Sequence, residues 1–388
     1  MEKLIVQSIW NNSCYELSLE KGKVVGITPL NSAHETELLM GAGLVDIQVN
    51  GYGGVDYNIL QEDFLTLGQI SEKLAQNGVT QHFPTLITNS KEQLGKLFEQ
   101  LSSLLDSSPN YQSAIPGFHL EGPFISPEDG PRGAHFKEFV TAPKWDWFQF
   151  WQEKANGKIR LITLSPEWVG SVAFIEKCVD SGVLVSIGHT NANQIQIADA
   201  VKAGARLSTH LGNATHLKLP RHPNYLWSQL AEEELWTSVI ADGFHLPAEV
   251  LKVFAKVKGE KLFLVSDSVA LAGMPSGTYT TQVGGKVTLT QEGKLHLADQ
   301  PQVLAGSARN LLQGINFLVK NQLATLKEAW EMASIRPQSL FESKSKKWTP
   351  DPNSDFILGK LDSDSQLCIL KTFQNGREIY SKPPIPNS

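Results

Sequence analysis

Short apolar runs alternate with longer amphipathic segments through most of the chain. From Gly41 onward, apolar runs occupy residues 44–49, 79–85, 114–120, 159–164, 183–188, 205–209, 237–241 and 262–267. Short continuous apolar runs are typical of buried parallel strands, and apolar spacing of three and four between them indicates helices. Eight strands with helical crossovers predict an α/β fold, a (β/α)8 TIM-type barrel. A doubly wound open sheet is the alternative, but it usually has fewer strands and a Gly-rich phosphate turn near its start.

The two ends of the chain have a different pattern. Residues 1 to about 40 and the tail from about residue 355 carry short apolar segments separated by polar turns, as in CYELSLE and QLCILKTF. Such segments are typical of antiparallel strands. We predict one small β-sandwich domain formed by residues 1–40 and 345–388 from both chain ends, with the barrel spanning 41–344. The alternative is a contiguous N-terminal domain with an independent tail.

Composition and charge narrow the class of protein. The chain has 388 residues, of which 41% are hydrophobic and 19% charged, as expected for a globular protein with a large core. Its net charge of -6 gives no general attraction to nucleic acid or to an anionic membrane. Three widely spaced cysteines favour reduced thiols, and no apolar stretch resembles a signal peptide or a membrane span. These features predict a cytoplasmic protein.

Two histidines end neighbouring predicted strands. In the stretch GVLVSIGHTNANQIQIADAVKAGARLSTHLGN, His189 and His210 each follow an apolar run, with one predicted helix between them. Glu121 follows the third run in HLEGP. Active-site groups of such barrels lie at the carboxyl ends of the strands. Two imidazoles and one carboxylate predict a catalytic site for one divalent metal ion, with Zn²⁺ favoured and Fe²⁺ or Co²⁺ also suited. An alternative for Glu121 is a carboxylate bound by backbone amides of its turn.

Asp267 and Gln48 complete the predicted centre. Asp267 ends the eighth run in LVSDS, and a carboxylate beside a metal ion suits a general base. A turn or N-cap aspartate is the alternative. Gln48 and Asn50 occupy the first strand, where a two-metal hydrolase would need histidines, and amides are weaker ligands. We therefore predict one metal ion, with Gln48 as a hydrogen-bonding neighbour of the water there.

Further candidates lie in the predicted loops at the same edge. His135 lies in GPRGAHF, and Asp242 and His245 lie in ADGFH. The turn HLGNATH exposes backbone amides that could bind an anion, and Arg221 would add positive charge. Each of these is, alternatively, an ordinary loop residue.

Eight motifs resemble those of a known family. In order they are GLVDIQVNGYGGVDYN, HLEGPF, RGAH, GHTNAN, THLGNATH, ADGFH, LVSDS and LAGSA. The set resembles the N-acetylglucosamine-6-phosphate deacetylases of the amidohydrolase superfamily, over most of the chain. The resemblance implies a homodimeric, metal-dependent enzyme that removes acetate from an amino-sugar phosphate.

The resemblance also implies roles for individual residues. Glu121, His189 and His210 match the metal ligands, and Asp267 matches the catalytic acid/base. Arg221 would act in its own subunit or across a dimer. The residues that match substrate contacts are Ala134, His135, Asn213, Ala214, Arg221, Asp242, Gly243, Phe244, His245, Leu304, Ala305 and Gly306.

The chain departs from the family pattern at two positions near the predicted substrate. Gly212 and Thr215 stand where the family often has a larger residue and a methionine. These differences leave the preferred sugar open, with the galacto epimer as an alternative substrate. Another amidohydrolase acting on a cyclic amide or a nucleobase is a further alternative. A non-catalytic sugar-phosphate sensor is a third, against which the presence of all three ligands and Asp267 argues.

Overall fold

The computed structural model describes residues 1–31, 34–281, 284–341 and 348–383, with the backbone alone at 64 and 65. Its strands are β1 Glu2–Ser8, β2 Cys14–Glu20, β3 Lys23–Pro29, β4 Leu39–Ala42, β5 Leu44–Val49, β6 Gly51–Tyr52, β7 Val55–Asp56, β8 Val79–Ile87, β9 Phe118–Glu121, β10 Ile159–Leu164, β11 Leu184–Ile187, β12 Leu207–Ser208, β13 Trp236–Val239, β14 Leu262–Leu264, β15 Gly277–Thr281, β16 Gly285–Leu289, β17 Leu295–Leu297, β18 Gln300–Leu304, β19 Phe356–Leu361, β20 Leu367–Gln374 and β21 Arg377–Ser381.

The helices pack mainly outside the central sheet. They are α1 Phe64–Ala75, α2 Lys91–Ser107, α3 Pro109–Ala114, α4 Trp145–Lys154, α5 Ser171–Asp180, α6 Gln194–Lys202, α7 Tyr225–Ala231, α8 Ala248–Lys258, α9 Leu311–Lys320, α10 Leu326–Met332 and α11 Ile335–Ser339, with short 3-10 turns at Lys137–Phe139 and Gly259–Lys261. Among the described residues, none of these helices is long and apolar enough to cross a bilayer.

The central sheet is the predicted barrel. Strands β5 and β8 to β14 form an eight-stranded sheet in chain order, and every strand pair is parallel. A backbone bridge between Val49 and Ser268 brings the first strand beside the last, so the sheet is nearly closed. Buried side chains such as Ile47, Phe83 and Phe263 fill one cluster contributed by its strands. The structure confirms the (β/α)8 fold, and it places the carboxyl ends of these strands at one rim.

Local differences from the predicted elements have simple causes. The third barrel strand begins at Phe118 instead of residue 114, because helix α3 extends to Ala114. Helix α4 was not predicted; its segment WDWFQFWQEK is rich in aromatic residues, and only Phe148 and Trp151 are buried. After β14, the chain forms a four-stranded antiparallel sheet, β15 to β18.

Both chain ends build one small β unit, as predicted. Strands β1 to β4 and β19 to β21 form a closed sheet around a core that includes Val6, Leu17, Phe356 and Phe373. The strands close into a barrel instead of stacking as a sandwich, because β21 pairs with β3 and β4 pairs with both β1 and β19. The domain limits stay a prediction, and the 344/345 boundary lies outside the described residues.

Candidate active site

Glu121, His189 and His210 meet at the carboxyl-end rim of the barrel. Glu121 is the last residue of β9, and the two histidines follow β11 and β12. Glu121 Oε1 lies 3.0 Å from His210 Nε2 and 3.3 Å from His189 Nε2, and the two Nε2 atoms are 3.2 Å apart. All three side chains are buried. The three residues predicted as metal ligands therefore converge on one point.

The donor chemistry at this point fits a divalent cation. His189 Nδ1 lies 2.9 Å from the Pro131 carbonyl oxygen, which can only accept a hydrogen bond. The proton of a neutral His189 is therefore on Nδ1, and the lone pair of Nε2 faces Glu121 and His210. A ligating histidine is commonly oriented in this way by a carbonyl behind it. The three donor atoms lie within 4.8 Å of one another, which makes the trio a candidate metal centre.

The electrostatics of the trio favour positive charge between its members. Burial alone would raise the pKa of Glu121, but His189 and His210 in their protonated forms, which donate hydrogen bonds and carry positive charge, hold it well below its usual range. Burial opposes protonation of His210, yet its hydrogen bond to Glu121 and the charge of that carboxylate raise its pKa overall. A buried carboxylate of this kind needs a cation beside it.

Two amides at the carboxyl end of the first barrel strand, Gln48 in β5 and Asn50 just beyond it, bind the two carboxylates. Gln48 Nε2 donates to Glu121 Oε1 at 2.9 Å, and Asn50 Nδ2 donates to Asp267 Oδ1 at 2.8 Å. Gln48 was predicted as a neighbour of the site, whereas no partner was predicted for Asn50. Residues i and i+2 of a strand share one face, and this spacing is the feature that would have suggested a paired role for both amides.

Asp267 faces the same cluster from the end of the eighth strand. Burial and the negative charge of Glu121 raise the pKa of Asp267 to about 6, against the opposing effects of His210 and Asn50. A carboxyl with a pKa near the working pH can both accept and return a proton. The geometry therefore allows acid–base chemistry beside the candidate metal centre.

Left-handed backbone conformations place these side chains. His189, His210 and Asp267 have φ angles of 49°, 29° and 48°, which residues other than glycine rarely adopt. Such strain persists only where surrounding bonds hold it. The Ser126 amide donates to the His189 carbonyl at 2.8 Å, and the His210 amide donates to Ser238 Oγ at 2.7 Å.

His135 reaches the centre from the Gly-rich loop after β9. Its ring packs edge-on against His189 with centroids 4.4 Å apart, and its Nδ1 lies 2.7 Å from Thr88 Oγ1. Burial and the nearby His189 lower the pKa of His135 to about 3, so the ring is neutral. Ala134, the preceding residue, is exposed. His135 is thus placed to contact a ligand at the centre without carrying charge.

Asp242 and His245 form a pair just beyond β13. His245 Nδ1 lies 2.6 Å from Asp242 Oδ2, while Asp242 Oδ1 accepts the Phe244 and His245 amides. Burial would raise the pKa of Asp242, but His245 holds it below its ordinary value. The Phe244 ring packs against the Arg309 guanidinium, and Gly243 is exposed.

The remaining predicted substrate residues are more open. Asn213 and Ala214 are half-buried in the turn after His210, and Asn213 Nδ2 donates to the His210 carbonyl at 3.1 Å. Leu304, Ala305 and Gly306 are half-buried where β18 ends. Arg221 is exposed, and it has no hydrogen bond or ion pair with any residue that the structure describes. The structure does not bring Arg221 into the trio.

Glu167, in the loop after β10, was missed by the sequence analysis. Its carboxylate accepts hydrogen bonds from Ser126 Oγ at 2.9 Å, Ser165 Oγ at 2.7 Å and the Asn191 amide at 2.7 Å. It therefore joins the loops after β9, β10 and β11. A single loop glutamate carries no pattern in the sequence that distinguishes it from a solvated one.

The nearly closed parallel barrel and its two-histidine, one-carboxylate trio define a metal-dependent hydrolase of the amidohydrolase type. No protein-family model matches the chain. An N-acetylglucosamine-6-phosphate deacetylase from Bacillus subtilis (strain 168) is 33% identical over 278 residues, 70% of this chain and 67% of that protein. This chain belongs to the N-acetylglucosamine-6-phosphate deacetylase family.

Solved structures agree with the fold. The crystal structure of N-acetyl-D-glucosamine-6-phosphate deacetylase from Mycobacterium smegmatis matches with a TM-score of 0.83 and 22% identity, over 98% of this chain and 100% of that one. A mutant of the same enzyme, in complex with N-acetyl-D-glucosamine-6-phosphate, matches with a TM-score of 0.81 and 21% identity, over 98% and 100%.

Proposed function

We propose that this enzyme hydrolyses the acetamide of N-acetylglucosamine 6-phosphate to glucosamine 6-phosphate and acetate, in amino-sugar catabolism or recycling. The observation that carries the proposal is the convergence of Glu121, His189 and His210 beside Asp267. Membership of the deacetylase family and the substrate bound to the M. smegmatis relative support it.

Glu121, His189 and His210 would hold one divalent ion, Zn²⁺ by preference, with Fe²⁺ or Co²⁺ suited to the same donors. A bound ion of this kind supplies Lewis acidity, which lowers the pKa of water and polarises a carbonyl. Gln48 supports the single-ion assignment, because its amide nitrogen already donates a hydrogen bond to Glu121 Oε1 at 2.9 Å. An amide in that position is a poor substitute for the imidazole of a second metal site.

Asp267 carries the proton in this proposal. Its carboxylate accepts a proton from the attacking water as the oxygen–carbon bond to the acetyl group forms. It then returns that proton to the amine nitrogen as the carbon–nitrogen bond breaks, so that acetate and the free amine leave. Asn50 holds the carboxylate in place at 2.8 Å. Neutral His135 would donate a hydrogen bond to the acetyl oxygen, where negative charge develops.

The phosphate would bind away from the reacting bond and orient it. We assign the phosphate to the Asn213 and Ala214 amides, Arg221 and His245, because a turn of exposed amides with nearby cations suits an anion. Binding energy from such a remote group positions the amide for attack. Ala134, Asp242, Gly243, Phe244 and the Leu304-Ala305-Gly306 turn would line the rest of the sugar site.

We propose that the enzyme is a cytoplasmic homodimer in which Arg221 crosses to the partner's phosphate site. Arg221 is exposed and unpaired among the described residues of its own chain. Leu217 in the same loop is fully exposed, and Trp227 in the following helix α7 is 52% exposed. Exposed large apolar side chains around an unpaired arginine are typical of an interface.

The proposal is tested by acetate release from N-acetylglucosamine 6-phosphate with wild type and Asp267→Asn, both loaded with metal. We expect the variant to keep its metal and lose about 100- to 10,000-fold in kcat, the usual contribution of a positioned acid–base group. Exposed Asp299→Asn is the matched control and should match wild type. A fully active Asp267→Asn would remove Asp267 from its role.

The same assay separates the alternative substrates. The galacto epimer, unphosphorylated N-acetylglucosamine and a cyclic amide are run in parallel. Faster turnover of any of these than of N-acetylglucosamine 6-phosphate would replace the proposed substrate. Ligand binding without acetate release by the metal-loaded protein would instead identify a sensor.

A further inference from the structure

A chain of buried hydroxyl groups crosses the barrel beneath the metal-ligand trio. Ser186 Oγ lies 2.5 Å from Thr209 Oγ1, which lies 2.7 Å from Thr163 Oγ1, which in turn lies 2.8 Å from His119 Nε2. His119 Nδ1 faces Thr85 Oγ1 at 3.4 Å. All five side chains are buried, and they come from β8 to β11 and the residue after β12. We call these five residues the hydroxyl belt.

The donors and acceptors of the hydroxyl belt run in one direction. Thr85 Oγ1 donates to the Phe83 carbonyl at 3.1 Å, so its single proton is used and His119 Nδ1 must be the donor to it. With the ring proton on Nδ1, His119 Nε2 accepts from Thr163 Oγ1 at 2.8 Å. Thr163 then accepts from Thr209, and Thr209 accepts from Ser186. Thr163 and Thr209 each donate once and accept once within the belt, and Thr85 Oγ1 also accepts from the Val49 amide at 3.0 Å.

The belt adjoins every member of the trio along the chain. His119 lies two residues before Glu121, Thr209 directly precedes His210, and Ser186 lies three residues before His189. Thr163 pairs with Glu121 across β9 and β10, and with Ser186 across β10 and β11. Strand β10 contributes no member of the trio. Its contribution is the hydroxyl that links the strand of Glu121 to the strand of His210.

Gly188 places His189 directly against the belt. A Cβ at Gly188 would lie 2.8 Å from both Thr163 Cγ2 and Thr209 Cβ, which is too close for any larger residue. The backbone just before His189 therefore rests on the side chains of the two central belt residues. Moving either threonine would move the support of this ligand.

We propose that Thr163 is a positioning residue of the metal centre, and that its hydroxyl sets the spacing of the three ligands through the belt. The inference rests on the proposed metal-binding role of Glu121, His189 and His210. Satisfied buried hydrogen-bond networks rigidify what they connect. Groups that orient metal ligands from behind typically change metal affinity about 10- to 100-fold when they are removed.

Three variants test the proposal by Zn²⁺ affinity, measured by competition with a chromogenic chelator. Thr163→Val keeps the shape and removes the hydroxyl, and we expect its Zn²⁺ dissociation constant to rise about 10- to 100-fold. Thr163→Ser keeps the hydroxyl and should stay within about 3-fold of wild type, since the belt is retained. Thr237→Val is the matched control, because this buried β13 threonine hydroxyl has no hydrogen-bond partner among the described residues. Its Zn²⁺ affinity should be unchanged.

The outcomes separate a positioning role from a purely structural one. Lower thermal stability of metal-free Thr163→Val with wild-type Zn²⁺ affinity would overturn the proposal, and so would equal weakening in the Val and Ser variants. If Thr163→Val does not fold, Ser186→Ala at the end of the belt should still weaken Zn²⁺ binding. A wild-type Zn²⁺ affinity of Ser186→Ala would then refute the positioning role of the hydroxyl belt. Absence of Zn²⁺ binding by wild type would instead refute the ligand assignment itself.

Discussion

At the barrel mouth, Glu121, His189 and His210 are buried and lie within 3.3 Å of one another. In the loop that follows His210, the Asn213–Ala214 turn is half-buried and Arg221 is exposed without a partner among the described residues. One chain therefore assembles the candidate metal centre by itself, whereas the residues that we propose for phosphate binding are open to solvent.

The difference follows from the cost of burying polar groups. A buried carboxylate or imidazole needs partners. Even without substrate, Gln48 binds Glu121 and the Pro131 carbonyl binds His189, whereas Nδ1 of His210 has no partner among the described residues. An exposed arginine stays hydrated and needs no protein partner before its ligand binds. The metal-ligand trio is thus arranged before substrate binds. In our proposal, the phosphate-binding residues are completed only by the phosphate and by a second chain.

Removing a trio member should have the largest effect. We expect His210→Ala to lose metal and to lower kcat/KM by at least the roughly 100- to 10,000-fold assigned to Asp267, because the trio organises the whole reaction. His216→Gln is the matched control, since His216 lies in the same loop but bonds Glu128 and Tyr225. Acetate release is the measurement. Full activity of His210→Ala would show that the trio is no more important for the reaction than the proposed phosphate-binding residues.

Removing the exposed cation should affect binding more than chemistry. We expect Arg221→Ala to raise KM for the phosphorylated substrate about 10- to 100-fold, from the loss of a charged hydrogen bond worth roughly 1.5–3 kcal/mol. The value of kcat should change little. Exposed Lys218→Ala in the same loop is the control. An equal loss with unphosphorylated N-acetylglucosamine would show that Arg221 does not bind phosphate.

Mixed dimers sharpen this prediction. A dimer of one Arg221→Ala chain and one Asp267→Asn chain contains one complete site only if Arg221 acts across the interface. We expect mixing the two variants to restore kcat/KM for the phosphorylated substrate to about a quarter to half of the wild-type value, according to how the chains re-pair. No recovery in a mixture that does exchange subunits would place Arg221 in its own site.

The smallest predicted effect is a pH dependence of the free energy of unfolding, caused by the buried His82 of β8. Burial lowers the pKa of His82 to about 3, against 6.5 when unfolded, so the unfolded state takes up this proton first as the pH falls. The stability from a neutral His82 is complete above pH 6.5 and declines below it. Between pH 6.5 and 5.5, wild type should lose about 1 kcal/mol more of its free energy of unfolding than His82→Gln, because the unfolded imidazole goes from half-protonated to mostly protonated over this range. Urea unfolding at both pH values measures this, and equal losses would show that His82 is accessible to protons.

Much of the fold was predictable because the apolar periodicity is local. The eight barrel strands and the ends of helices such as α6, with its Asn193–Gln196 capping box, follow from adjacent residues. The trio was predictable because each member directly follows an apolar run. Asn50, Glu167 and Thr163 were not, because each depends on a partner 24 to 217 residues away and its residue type is common in any strand or loop. The closure of the small β unit depends on a strand pairing between Lys23 and Arg377, which no local pattern encodes.

Metal analysis of the purified protein tests the central claim most directly. The account predicts one equivalent of divalent metal per wild-type chain and loss of that metal in Glu121→Ala, with Gln48→Ala still binding no second ion. Two equivalents in wild type, or one retained in Glu121→Ala, would contradict a single centre built from Glu121, His189 and His210.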